Sequence, residues 1–151
     1  MNYGFLAKPS LYLSDFFERN RGSYYDALTR VRESNDMLHW IKFFLSGIDE
    51  TATKGRRVFN EILKLRAKAE EKVFNMGRRS GAAKAFLDKL FSNPVVRVSD
   101  VEKLLSISTP CSNALVKAFC EAGILKEMTK RTRKRIFVFE QYMDLFTKTD
   151  S

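Results

Sequence analysis

Histidine occurs once in this sequence, cysteine only twice, and apolar residues never run long enough to span a bilayer. Each scarcity excludes something. His39 sits in "MLHWI" with no cluster of cysteines or histidines around it, so no zinc or other metal site is expected. Its neighbours suit a packed or edge histidine. Cys111 and Cys120 are nine positions apart on one proposed helix. That spacing puts them about half a turn out of phase and roughly 13 Å apart along the axis. They cannot bridge each other and read as free thiols. No apolar stretch approaches the roughly 20 residues of a spanning helix, so no membrane partner is expected. The opening "MNYGFLAKPSLYLSD" lacks a basic start, a sustained apolar core and a small-residue cleavage site. A cytoplasmic location is the expectation. Internal repeats and low-complexity tracts are absent as well.

What is present is an ordinary apolar fraction and an excess of cations. The 151 residues are 44% hydrophobic and 30% charged, with a formal net charge of +9. That is enough apolar material for one domain or two small ones, and the charge favours a polyanionic partner. Residues 1–76 carry 13 basic and 10 acidic groups, net +3, whereas residues 77–151 carry 14 and 8, net +6. The two stretches also differ in pattern, and the Asn75-Met76-Gly77-Arg78-Arg79-Ser80 segment is the expected seam between them.

Residues 1–76 read as helical, with Leu11, Leu13, Phe16 and Phe17 before a break at Asn20-Arg21-Gly22. Ser23 is the expected cap of a second helix, and Asn35 or Asp36 of a third, which carries Leu38, Ile41, Phe44, Leu45 and Ile48. Gly47 marks an expected bend, after which Val58, Phe59, Ile62, Leu65 and Val73 continue the pattern.

Residues 77–151 combine short helices with the first strand signals. A helix over Ser80 to Phe91 leads to "PVVRV", a β-branched strand candidate. Ser99 is the expected cap of a short helix over Asp100 to Leu105. Ser108 or Thr109 caps the next helix, Pro110 sits at its start, and Gly123 is its expected terminating residue. Ser112, Leu115, Val116, Phe119 and Ala122 share one face by their spacing. Thr109, Asn113 and Lys117 recur every four residues on the opposite face. These side chains are short near the helix N-terminus, and polar where a helix entering a major groove would meet base edges. Ile124 to Met128 and Arg135 to Phe139 then pair as a hairpin whose tip carries Lys130, Arg131, Arg133 and Lys134, with Arg135 beside it. Cations on a loop suit contact with phosphates. The expected fold is therefore mainly α: a helical segment over 1–76, then a winged helix-turn-helix over 77–151 with a small β-hairpin. Double-stranded DNA is the expected partner, although winged helices also serve as protein-interaction modules.

One block of the first part resembles a known family. "KPSLYLSDFFERNRGSYYDALTRVRESNDMLHWIKFFLSGIDETA" is similar to the region that follows the catalytic motif of Fic proteins. The resemblance rests on Pro9 to Ser14, Phe17-Glu18 with Arg21, Tyr24-Tyr25, and Trp40-Ile41 with Phe43-Phe44-Leu45. Many such proteins continue into "GRRS" and a winged helix much like Gly77 to Phe139, so the likeness extends over roughly residues 5 to 146. It implies a family that moves AMP from ATP to hydroxyl side chains of target proteins. It also implies that Tyr24 and Tyr25 border the nucleotide pocket of the intact enzyme. The family's His-Pro-Phe-x-x-Gly-Asn-Gly-Arg loop does not occur here. ATP and Mg belong to the intact family enzyme, no cofactor is expected for this chain, and no residue is assigned a catalytic role. Two readings follow. One is a DNA-binding, transcription-regulating tail of a bacterial-type Fic protein, catalytically silent by itself. The other is an interaction module that docks the Fic catalytic core, a target protein or a second copy as a homodimer.

Overall fold

The computed structural model describes residues 13–77, 80–129 and 135–147. It is mainly helical, with seven helices and one small antiparallel sheet among the described residues. Packing divides the chain into two compact units, Met1–Phe59 and Asn60–Ser151. The division falls inside the longest helix because Ala69 and Val73 are buried in the core of the second unit.

The first unit is built from α1 (Leu13–Arg19), α2 (Arg21–Ser34) and most of α3 (Met37–Phe74). The residue that begins α2 differs from expectation. Asn20 rather than Ser23 stands at its cap, and Asn20 turns its amide back to donate to the Phe16 carbonyl at 2.9 Å. Gly22 lies inside the first turn. Asn35 ends α2 in the left-handed region at φ 56, which an Asn tolerates better than most side chains. Asp36 then accepts the His39 backbone N–H at 3.1 Å and caps α3.

Aromatic rings fill this unit. Phe17 stacks on Phe43 with centroids 5.9 Å apart, and Trp40 packs against Phe17, Phe43 and Phe44. Phe16 is buried and meets Phe43 at 5.4 Å. The expected bend at Gly47 does not occur, since α3 runs through it without a break. Gly47 is there for space: a Cβ at this position would stand 2.6 Å from Phe16 Cδ1 and 3.2 Å from Leu13 Cδ1. Thr51, buried one turn on, donates its hydroxyl to the Gly47 carbonyl. On the rim, Glu50 is held below the usual carboxylate range by Lys54 and then Arg19, and Arg19 also pairs with Asp15. These exposed ion pairs add little stability in water.

The second unit continues with α4 (Ser80–Leu90), β1 (Val95–Arg97), α5 (Val98–Leu105), α6 (Thr109–Glu121), β2 (Lys126–Glu127), β3 (Ile136–Val138) and α7 (Glu140–Thr147). The sheet order is β1-β3-β2, with Val96 opposite Phe137 and Glu127 opposite Phe137 on the other side. The hairpin expected from the sequence is present, and β1 joins it as a third strand along β3. The cap of α5 is Arg97, one position before the helix, and Ser99 lies within it; the Asp100 carboxylate accepts the Arg97 N–H at 2.9 Å. Ser106 ends α5 in the left-handed region at φ 52, and the Ile107 N–H reaches back to the Glu102 carbonyl. The core joins Phe86, Leu87 and Leu90 of α4 to Val101, Leu115, Val116, Phe119, Phe137 and Phe139. Arg66 of α3 bonds Asp88 of α4 at 2.5 Å and lies over the Phe91 ring.

Replacing Gly47 tests the reading of the first unit. Ala has the better helix propensity by about 1 kcal/mol, but overpacking a filled site costs about 1–3 kcal/mol. Gly47→Ala is therefore expected to lower the urea midpoint of unfolding, and a raised midpoint would show that Phe16 moves aside freely.

Candidate nucleic-acid interface

The described residues of the interface proposed from the sequence lie in the second unit, on α6 and the base of the β2–β3 hairpin. α6 begins after Ser108, whose extended backbone lets its carbonyl accept the Ser112 N–H at 2.9 Å. Pro110, in the first turn, has no N–H to leave unsatisfied. The helix ends as the sequence suggests. Gly123 takes φ +66, its N–H bonds the Cys120 carbonyl at 3.0 Å, and the Ile124 N–H bonds the Phe119 carbonyl at 2.9 Å. This double closure, with Ile124 and Phe119 both buried, satisfies the last carbonyls of the helix.

Two further groups hold that end. Lys72 Nζ of α3 donates to the Ala122 carbonyl at 2.8 Å, and Gln141 Nε2 of α7 donates to the Gly123 carbonyl at 3.2 Å. A cation at a helix C-terminus also meets the negative end of its dipole. Neither Lys72 nor Gln141 was singled out from the sequence, because their importance comes from long-range packing that no local spacing reveals.

α6 buries Ser112, Leu115, Val116 and Phe119, with the Phe119 ring 4.7 Å from that of Phe86. The opposite face is the expected one. Thr109 and Lys117 are exposed and Asn113 is half-buried. Asn113 is not a free amide: its Nδ2 donates to the Thr109 carbonyl at 3.0 Å, and its Oδ1 accepts from Arg135 Nη2 at 3.5 Å. Lys117 approaches Glu121 at 3.8 Å, with both side chains largely in solvent.

Arg135 joins the helix to the hairpin. Besides Asn113 it approaches Glu127 at 3.7 Å and lies over the Phe137 ring at 5.5 Å. Glu127 is opposite Phe137 on β2, so the guanidinium is held between strand and helix. Lys130, Arg131, Arg133 and Lys134 lie outside the described residues. At the base of the hairpin, Lys126 is tied to Glu140 by contacts of 2.7 and 2.9 Å.

The two cysteines of α6 differ. Cys111 is exposed, whereas Cys120 is half-buried and its thiol is pushed up by burial and by the nearby Glu127. In the first unit, Tyr24 is half-buried against Phe17, Trp40 and Phe43, while Tyr25 is 52% exposed beneath Arg21. Among the described residues no group of His, Cys, Asp and Glu side chains could hold a metal ion, and no helix is long and apolar enough to cross a membrane.

No family model and no curated protein matches the chain.

Two outcomes follow from α6. The Ser112 hydroxyl is fully buried and has no hydrogen-bond partner among the described residues. Ser112→Ala is expected to stabilise the second unit by about 1 kcal/mol in urea unfolding; a loss of stability would point to a bridging water. Alkylation followed by mass spectrometry at mildly alkaline pH should label Cys111 well before Cys120, because a raised thiol yields less reactive thiolate. Equal rates would contradict the burial of Cys120.

Proposed function

We propose that this chain is a regulatory module that binds double-stranded DNA through a winged helix-turn-helix, carried next to helices like those that follow the catalytic motif of Fic proteins. The order α4, β1, α5, α6, β2, β3 and the strand order β1-β3-β2 support the winged-helix reading. The observation that carries the functional reading is the contact of Arg135 with Asn113. It brings a cation of the hairpin to the outward face of α6, the face that carries Thr109, Asn113 and Lys117.

In this reading α6 enters the major groove. Thr109 and Lys117 are open to base edges, and Asn113 changes partners from Arg135 to a base, releasing the guanidinium toward a phosphate. Lys130, Arg131, Arg133 and Lys134, neighbours of Arg135 in the sequence, would supply further phosphate contacts. Phosphate contacts set affinity and its salt dependence, while the α6 face sets sequence preference. Glu121 and Glu127 sit beside Lys117 and Arg135 and lower the local positive potential. A phosphate would displace them readily, because solvent-exposed pairs are weak. The role requires no AMP transfer, and the Fic likeness supplies the setting rather than the chemistry.

Fluorescence anisotropy with duplex genomic fragments at low salt tests the proposal. The unmodified chain is expected to bind, more weakly as salt rises. Arg135→Ala should weaken binding to every sequence alike and reduce the salt slope by about one. Asn113→Ala should change the ranking of sequences more than the mean affinity. Absence of duplex binding at low salt would overturn the proposal.

A further inference from the structure

A second surface lies in the first unit. Along α3, Leu38, Ile41, Leu45, Ile48 and Ala52 follow one another at spacings of three and four and so share a stripe. The aromatic cluster of this unit uses another side of the same helix, through Trp40, Phe43, Phe44 and Gly47. Leu38 is 61% exposed, Ile41 45% and Leu45 56%. Single exposed leucines are ordinary, but a contiguous apolar row on one helix face marks an interaction surface. Phe16, Phe17, Phe43 and Phe44 are engaged with one another inside the unit.

We propose that this stripe binds a second copy of the chain, α3 against α3, antiparallel. The stripe is complementary to its own reverse. A two-fold axis at the level of Ser46 and Gly47 sets Leu45 against the partner's Ile48 and Ile41 against the partner's Ala52. Leu38 then meets the partner's Gly55. Large side chains oppose small ones in the outer layers, which lets the helices approach closely. One two-fold axis makes both halves of the contact the same, so it closes on itself as a dimer.

Charge selects the direction. Lys42 and Asp49 lie seven residues apart along the same flank of the stripe, are both exposed, and make no ion pair among the described residues. Reversal brings Lys42 of each chain beside Asp49 of the other, twice per dimer. A parallel pair in register puts the two copies of this flank on opposite sides of the seam and leaves both charges unmatched. The stripe spans roughly 22 Å of helix, a small contact, so the dimer is expected to form in the micromolar range rather than permanently. This inference is independent of DNA binding and is measured without nucleic acid.

Sedimentation equilibrium of the whole chain from low to high micromolar concentration is the test. A monomer–dimer equilibrium is expected, and Leu45→Glu should raise its dissociation constant about ten-fold or more with helicity by circular dichroism unchanged, since Leu45 is exposed. Lys42→Glu and Asp49→Lys should each weaken the dimer, and combining them should restore it. A monomer at every concentration, or a dimer indifferent to Leu45→Glu, overturns the proposal. A dimer lost with Leu45→Glu but insensitive to the charge reversals overturns the antiparallel pairing.

Discussion

The second unit depends on the burial of one side of α6. Phe119 lies against Phe86, and Leu115 and Val116 complete a face from which water is excluded. Burying a side chain of this size stabilises the fold by roughly 1.5–3 kcal/mol. The same contact fixes the rotation of the helix about its own axis, and thereby which residues are left outside. Thr109, Asn113 and Lys117 are outward because Ser112, Leu115 and Phe119 are inward. The glycine stop, the Lys72 ammonium and the Gln141 amide then set where the rod ends.

The first unit works by a different economy of shape. Its α1 is only seven residues long and would not persist alone in water. It is kept helical by inserting Phe16 where α3 has no side chain at Gly47. The aromatic rings cluster on that side, and the aliphatic residues of α3 are left on another. One long helix thus has one side that builds a core and one that has none to build.

Much of this was readable in the residues. The turn chemistry around Pro110 and Gly123, the β-branched "PVVRV" and the alternation in "RIFVF" each act through local backbone preference, and each gave the right element. The inward and outward faces of α6 followed from period alone. What local pattern could not show were features set by distant packing. β1 is a third strand because Phe137 has an open edge facing Val96. α7 has no local signal to set "EQYMDLF" apart from the tail of a hairpin; Tyr142, stacked on Phe139 and edge-on to Phe91, holds it in place. Gly47 marks no bend, because its role is steric, which the sequence alone does not reveal. Ser23 and Ser99 have the chemistry of caps, but the helices begin earlier, where Asn20 and Arg97 stand. The engagement of the Asn113 amide by Arg135 needed two chain segments 22 residues apart to meet.

The corner between α5 and α6 has a history written into it. Ser106 is a side-chain-bearing residue in a backbone region that glycine would occupy with ease, a conformation that costs on the order of 1 kcal/mol. Nothing in its own chemistry chooses that shape; the two helices impose it once Val101 and Leu115 are in the core. The bend is therefore a product of assembly rather than its guide, and it should become native only as the core consolidates. In a partly opened molecule it would be among the earliest places to relax, exposing the Ile107 amide to exchange while the ends of both helices still hold.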